Sequence, residues 1–320
     1  MRKELIVIAC LFLSAIGFSQ KPDTLIKKLD SLSKKTDSAG GQNNNINPSA
    51  YNENTEITFS SYFILLGSDL KQEITAPFHT SHKGWIRVAE FSVIEGGLFF
   101  ADEPVQRFAV DLRNRNAAVV NVSKYVTRFG GAYETYVLAS LGAYGFLFKN
   151  EKIKTTTLLA TQAYITGGAM ESLLKLISGR QRPSFYDPNS LEAEPKFRGP
   201  FNSGKDIYGN RINSSFPSGH TTVAFAAATV FAMEYKNHPL IPILSYSAAT
   251  LIGLSRITEN VHWITDVVAG AALGYLTGRQ VVNNYHRYSK LKAPKQKKNF
   301  VSFNLQYNYH QLMPGLVYNF

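Results

Sequence analysis

The chain is poor in several kinds of residue, and each scarcity excludes something. One cysteine in 320 residues, Cys10, rules out a disulfide framework and any zinc site built on cysteine thiolates. Charged residues are 18% of the chain against 44% hydrophobic, which argues against a disordered or fibrous protein. Acidic side chains are the scarcer sign: 23 against 34 Lys and Arg, a formal charge of +11 and an isoelectric point near 9.5. That surplus points to an anionic partner, whether nucleic acid, acidic membrane or phosphorylated substrate, without choosing among them. Beyond the first twenty residues no stretch offers 18 uninterrupted apolar residues, and mean hydropathy is −0.13, too low for a chain made mostly of lipid-facing spans. No internal repeat is visible.

What is present begins with an export signal. Arg2 and Lys3 precede an apolar run from Leu5 to Phe18, and the small residues Gly17 and Ser19 come just before Gln20. The run is short for a transmembrane helix, although an uncleaved anchor is the alternative reading. Cleavage after Ser19 would leave a mature chain without cysteine. The reading divides the chain into a signal peptide (1–19), a flexible polar linker (20–55), a mixed, partly helical region (56–128), a functional core (129–285), and a basic segment with a β-hairpin tail (286–320). Within the second region, the aromatic stretch 56–66 reads as a strand or an ordered arm. The apolar segments 136–148, 221–233, 240–254 and 267–276 are rich in Ala, Gly, Ser and Thr. They read as buried helices of a globular core better than as lipid-facing spans. Between them, 184–215 is a long polar loop, and a loop of that length in a compact domain is usually functional. In the tail, Val301, Phe303, Leu305, Tyr307 and Tyr309 alternate with polar residues, and Pro314-Gly315 follows.

Three clusters carry chemistry. Lys175 and Arg182-Pro183 are two helical turns apart, so both cations can leave one face at a helix end that Pro183 closes. Next, Phe216-Pro217-Ser218-Gly219-His220 leads directly into an apolar helix. Unpaired backbone N–H groups at Ser218 and Gly219 can receive an oxyanion there, and Gly219 permits close approach. The third cluster is Ser255-Arg256, His262 and Asp266. An i, i+4 step lets Asp266 hold one imidazole nitrogen of His262 while the other faces a substrate. Each cluster alone has an ordinary explanation: a solvated basic face, a helix N-cap, a helix-surface pair.

In order along 175–266, however, they form the pattern Lys-x6-Arg-Pro, Pro-Ser-Gly-His, Ser-Arg-x5-His-x3-Asp. This resembles the type 2 phosphatidic acid phosphatases, the superfamily shared with bacterial class A acid phosphatases and vanadium haloperoxidases. Every signature position is filled, and the flanks Gly179-Arg180-Gln181 and Val261-His262-Trp263 also look like the family's. The resemblance spans roughly 129–279. Thr258 departs from it, since many members carry an aromatic residue there, which puts the pocket wall in question and not the chemistry.

The resemblance implies roles that suit the residues. Lys175, Arg182 and Arg256 would neutralise phosphate oxygens, with N–H groups around Ser218 and Gly219 completing the cradle. His262 would attack phosphorus and form a phosphohistidine, with Asp266 holding its tautomer. His220 would protonate the leaving alcohol and then activate water. No metal or other cofactor is called for, because the cations supply the charge. His79, His82, His238, His286 and His310 fall outside the pattern and read as surface or structural residues.

The expected fold is all-α: a core bundle of about five or six helices with the three motifs meeting at one end. Helices are expected over most of 136–148, 155–178, 221–234, 241–254 and 264–281. The expected function is an exported, metal-independent hydrolase of phosphomonoesters or pyrophosphates, with lipid-linked substrates favoured by the family and by a basic tail that suits anionic headgroups. Soluble esters and vanadate-dependent halogenation are the alternatives within the superfamily. Nucleic acid is not an expected partner. The expected location is the periplasm or cell envelope, with membrane contact left open.

Overall fold

A computed structural model of the chain describes residues 57–185, 194–201, 213–292, 300–308 and 311–319. The expected signal, the whole of the expected linker, the middle of the polar loop and Lys295, Lys297 and Lys298 lie outside those residues. The described core is helical: α1 (Phe59–His79), α2 (His82–Leu98), α3 (Asp102–Arg115), α4 (Ala117–Thr127), α5 (Ala132–Leu147), α6 (Glu151–Ser178), α7 (Gly219–Glu234), α8 (Leu240–Thr258) and α9 (Ile264–Lys292). No strand runs through 129–285 among the described residues, and α9 continues well past 281.

The strand or arm expected at 56–66 is instead the start of α1. Thr58 caps it, its hydroxyl accepting from Ser61 N at 3.2 Å. The aromatic residues that suggested a strand fall four apart: Phe59 and Phe63 meet edge to face at 4.9 Å along one helix face. Beside them, Tyr62 binds α6 twice, through its hydroxyl to Thr161 (3.0 Å) and its carbonyl, which accepts from Gln162 Nε2 (2.8 Å).

At the centre stands α7, packed between α6, α8 and α9. Small and apolar residues surround its whole circumference, the pattern of a helix enclosed on all sides. Its tightest neighbour is α9. Gly270, Gly274 and Gly278 form a stripe at four-residue spacing, and a Cβ on each would stand 2.6, 2.2 and 2.4 Å from the carbonyl oxygens of Ser218, Thr222 and Ala226. Backbone therefore lies on backbone, and a methyl group at Gly274 would force the helices apart. Because Ser218 caps α7 and Asp266 lies in the first turn of α9, this contact brings the second and third motifs together.

The outer helices depart from a globular arrangement. Tyr136, Tyr144, Phe146, Leu147 and Phe148 on or next to α5, and Leu240, Ile243, Leu244, Leu251 and Leu254 on α8, are exposed. Phe59, Phe63, Val93 and Ile94 on α1 and α2 are exposed as well. So the expectation of buried globular helices fails for 136–148 and 240–254. Leu138 and Gly145 of the first segment, and Ala249, Ile252 and Gly253 of the second, are buried, while most of their large apolar residues face out. Among the described helices, Leu240–Thr258 is the one long and apolar enough to cross a membrane.

Candidate active site

The first motif is presented by the end of α6. Lys175 occupies its last turn, and Gly179 terminates it in the left-handed region (φ 52°, ψ 35°). That conformation favours glycine, and a Cβ would also strike the Gly199 carbonyl at 2.2 Å. The reversal sends Arg180 inward and leaves Arg182 two residues on. Segment 180–181 is then stitched to the surrounding loop: Gln181 N donates to Lys196 O at 2.8 Å and Ser215 N to Arg180 O at 2.9 Å.

The second motif begins α7. Ser218 is its N-cap, yet its hydroxyl does not cap the helix; it accepts from Thr221 Oγ1 at 2.8 Å. Its backbone N–H donates to Asp266 O at 2.9 Å. The expected phosphate cradle is corrected to that extent: the Ser218 amide is already engaged. The amides of Gly219 and His220, by the geometry of a helix start, have no partner within the helix. The His220 ring rests against the turn before α5, where a Cβ on Gly131 would stand 3.3 Å from Nε2.

The third motif spans the turn from α8 to α9. Arg256, near the end of α8, donates through Nη1 to Glu259 Oε2 at 2.9 Å and to Thr127 Oγ1. Asn260 adopts positive φ (57°), and the N–H groups of Val261 and His262 turn back to Arg256 O. His262 therefore lies in the turn, ahead of α9, and the pair with Asp266 does not share a helix face as the spacing suggested. Asp266 sits in the first turn of α9, and its Oδ2 reaches back to Trp263 N at 2.8 Å, half of a capping box. The same oxygen accepts from Ser215 Oγ at 2.5 Å, while His262 Nδ1 stands off at 3.5 Å and is buried without a hydrogen-bond partner. Holding of the His262 tautomer by Asp266 is thus loose here. Catalytic hydrogen bonds in ligand-free sites are often long and tighten on binding.

These segments converge. Lys175, Arg182 and Arg256 all lie near enough to act electrostatically on His220, and Arg182, Arg256 and Asp266 on His262. Burial pushes the His262 imidazole well below its ordinary range; Asp266 opposes that push, and the two arginines reinforce it. Nε of Arg182 and Nε of Arg256 are buried without hydrogen-bond partners. Unsatisfied guanidinium donors beside two histidines suit an absent anion. Thr258 does not reach this pocket as a wall residue: its hydroxyl pairs with Ser123 of α4 at 2.6 Å.

Sequence reasoning missed the support beneath the site. Arg180 is fully buried, with Nη1 on Asp266 Oδ1 and Thr265 Oγ1, both at 2.6 Å, and Nη2 on Asp102 Oδ2. Asp102, the first residue of α3, also accepts from Thr265 N and Oγ1. Phe99, Phe197, Phe216 and Trp263 surround the guanidinium, the nearest ring centre 4.8 Å away. Burial disfavours its charge, but the two carboxylates outweigh that and raise the Arg180 pKa. A triad of this kind fixes Asp266, since breaking a buried ion pair leaves a charge uncompensated. The available signal was Arg180 itself, one of three cations in the eight residues before Pro183. Asp102 offered none.

Comparison with known proteins agrees with this geometry. The model of the PAP2 superfamily matches residues 156–290. A lipid A 1-phosphatase from Porphyromonas gingivalis is 43% identical over 86 residues, 25% of this chain and 19% of that protein. Lipid phosphate phosphatase 1 of Arabidopsis thaliana is 31% identical over 160 residues, 42% of this chain and 49% of that one. The chain thus spans half or less of the length of these curated relatives. The crystal structure of a transmembrane PAP2-type phosphatidylglycerolphosphate phosphatase from Bacillus subtilis aligns at a TM-score of 0.43 and 21% identity, covering 61% of this chain and 91% of that one. The family match encloses all three motifs that the fold draws together, and over residues 156–290 this chain is similar to the PAP2 superfamily.

Proposed function

We propose that the protein is a metal-independent phosphohydrolase that removes a phosphoryl group from a lipid-linked phosphomonoester or pyrophosphate. The observation that carries this is the convergence of His220 and His262 with Lys175, Arg182 and Arg256, two of whose buried N–H donors have no partner. Three cations and the amides at the start of α7 bind the phosphoryl oxygens and stabilise the charge that builds on them. The ring nitrogen of His262 remote from Asp266 attacks phosphorus, and the bond from phosphorus to the leaving oxygen breaks. Burial and the three cations hold the His220 pKa down to about 3, so the negative charge of the bound phosphoryl group must raise it; protonated in that complex, His220 delivers its proton to that oxygen. Water then attacks the phosphohistidine and gives a proton to His220, which restores both side chains and releases inorganic phosphate. Asp266, held by Arg180 and Ser215, is a fixed acceptor for His262 Nδ1–H as positive charge develops on the ring.

The lipid-linked substrate is supported by the names of the relatives and by the exposed apolar faces of α5 and α8. Contiguous exposed apolar surface of that kind suits contact with acyl chains. We place the protein in the cell envelope, its helices in a bilayer and its pocket at the polar surface, with export directed by residues 1–19. The tail, in which Phe300–Asn308 and Gln311–Asn319 are antiparallel partners, belongs to the proposal as a basic appendage beside anionic headgroups.

Phosphate release by the purified full-length chain in detergent tests the reading. The panel spans phosphatidic acid, phosphatidylglycerophosphate, polyprenyl pyrophosphate, lipid A and nitrophenyl phosphate. Turnover of a lipid substrate, inhibited competitively by orthovanadate and unaffected by EDTA, is the expected result. Silence across the panel, or loss on chelation restored by added metal, overturns it. Peroxide-dependent halogenation after vanadate loading would favour a haloperoxidase instead.

A further inference from the structure

The pocket holds a carboxylate that the reaction does not use. Glu171 lies one helical turn before Lys175 on α6, with Oε2 2.7 Å from Lys175 Nζ. As an isolated i, i+4 pair this would be unremarkable, since such pairs are usually solvated and worth little. Two features separate it from that class. Both side chains are largely withdrawn from solvent, at 14% exposure for Glu171 and 18% for Lys175. And the carboxylate presses on the start of α7: a Cβ built on Gly219 would stand 2.9 Å from both Cδ and Oε1 of Glu171. A side chain at position 219 would displace the carboxylate from where it lies.

Glu171 also acts electrostatically on Arg182. One anionic group therefore touches the Lys175 ammonium, lies against the first residue of α7 and acts on the Arg182 guanidinium. The function proposed above gives donors from those same three residues to the substrate's phosphoryl oxygens. A phosphate entering the site must take Lys175 from Glu171 and then sit beside a like charge, a repulsion that a low-dielectric pocket magnifies.

We propose that Glu171 is a resident anion of the phosphate site, a specificity-determining residue that lowers affinity for inorganic phosphate and so favours its release after turnover. This rests on the phosphohydrolase reading, because it presupposes that Lys175 and Gly219 bind phosphate. No bond is made or broken by Glu171; its effect is an exchange of partners at Lys175.

The sign of one measurement decides the matter. If Glu171 only braces Lys175, its loss frees the lysine and weakens phosphate binding. If it competes with phosphate, its loss strengthens binding. Titration calorimetry of the full-length chain in detergent, with inorganic phosphate and separately with orthovanadate, compares wild type with Glu171→Gln and Glu171→Asp. Expected is binding roughly tenfold or more tighter for Glu171→Gln, by removal of one charge at contact distance. Glu171→Asp keeps the charge but draws it back from Gly219 and should fall between, and it carries the test if the glutamine variant does not fold. In a Lys175→Met background the gain should largely vanish, since the competition is for that ammonium. Equal or weaker binding by both Glu171 variants overturns the assignment while leaving the phosphohydrolase intact, provided wild type binds and turns over. A wild type that neither binds these anions nor releases phosphate takes both down.

Discussion

The two ends of α7 carry the same kinds of side chain in opposite states. At the C-terminal end, buried Glu234 uses both oxygens, one toward His286 Nε2 at 2.7 Å and the other toward Lys152 Nζ at 2.5 Å. At the N-terminal end, buried Asp266 is bound by Arg180, Ser215 and the Trp263 amide, while its histidine stands 3.5 Å off. Each end has a histidine, a carboxylate and a cation out of water, where an incomplete network is costly. The N-terminal end leaves Nδ1 of His262 and, beside it, Nε of Arg182 and of Arg256 buried without hydrogen-bond partners. The contrast lies in the carboxylate: Glu234 holds its histidine at hydrogen-bond distance, and Asp266 does not. Residue types alone do not distinguish the two ends; the partners of the carboxylate do.

Breaking the open end should have the largest effect. His262→Ala should remove phosphate release on every ester, a loss on the order of 10⁴-fold or more. His220→Ala should retain more activity on nitrophenyl phosphate than on an alkyl ester, since a nitrophenolate departs without a proton. Single-turnover quench of phosphoenzyme formation with both leaving groups checks the pair of roles, and equal losses would mean the acid is misassigned.

Next in size is the support under the open end. Asp102→Asn or Arg180→Leu strands a buried charge and should cost about 3–5 kcal/mol, read as a drop in thermal midpoint. Trp263→Ala, which empties a fully buried site and orphans the Gln181 carbonyl, should cost a similar amount, about 3–5 kcal/mol. The closed end should behave differently. Glu234→Gln should lower stability while leaving kcat per folded molecule and vanadate affinity unchanged. A change in vanadate affinity would erase the distinction between the ends.

The smallest effect is on pH. Burial depresses the His262 pKa, so between its folded value and about 6.5 the unfolded chain binds a proton that the folded chain does not. This contribution to stability is complete above about 6.5 and declines as pH falls below it. The acid limb of kcat/KM due to His262 should likewise fall below pH 6.5. Thermal midpoints at pH 7.5 and 5 should differ more for wild type than for His262→Gln, and a larger difference in the variant would contradict the sign.

Much of the site was legible because its residues are local punctuation: a Pro after an Arg, a Gly before a His at a helix start. Asp102 was not, lying 78 residues before Arg180 and joined to it only by the fold. Glu171 was hidden for a different reason. A Glu four residues before a Lys on a helix is the commonest of surface patterns, and only the nearness of Gly219 sets it apart. The same ambiguity affected 240–254. Small residues interrupt its apolar run and shorten it to the eye, and only some of them, Ala249 and Gly253, lie on the buried side with Ile252 against α7. Aromatic 56–66 misled because a helical repeat of four over so short a stretch also satisfies alternation.

The glycine stripe of α9 has a consequence for how the enzyme tolerates its surroundings. With peptide groups of α7 and α9 in direct contact, the spacing between their two starts is set by covalent dimensions and not by rotamers, which relax and hop. His220 begins one of these helices and Asp266 the other. Forces on the outer helices, from a bilayer if the proposed location holds, can tilt this pair as one rod, but they cannot easily slide one rod along the other. The relative position of the two helix starts is thereby insulated from what surrounds the outer helices.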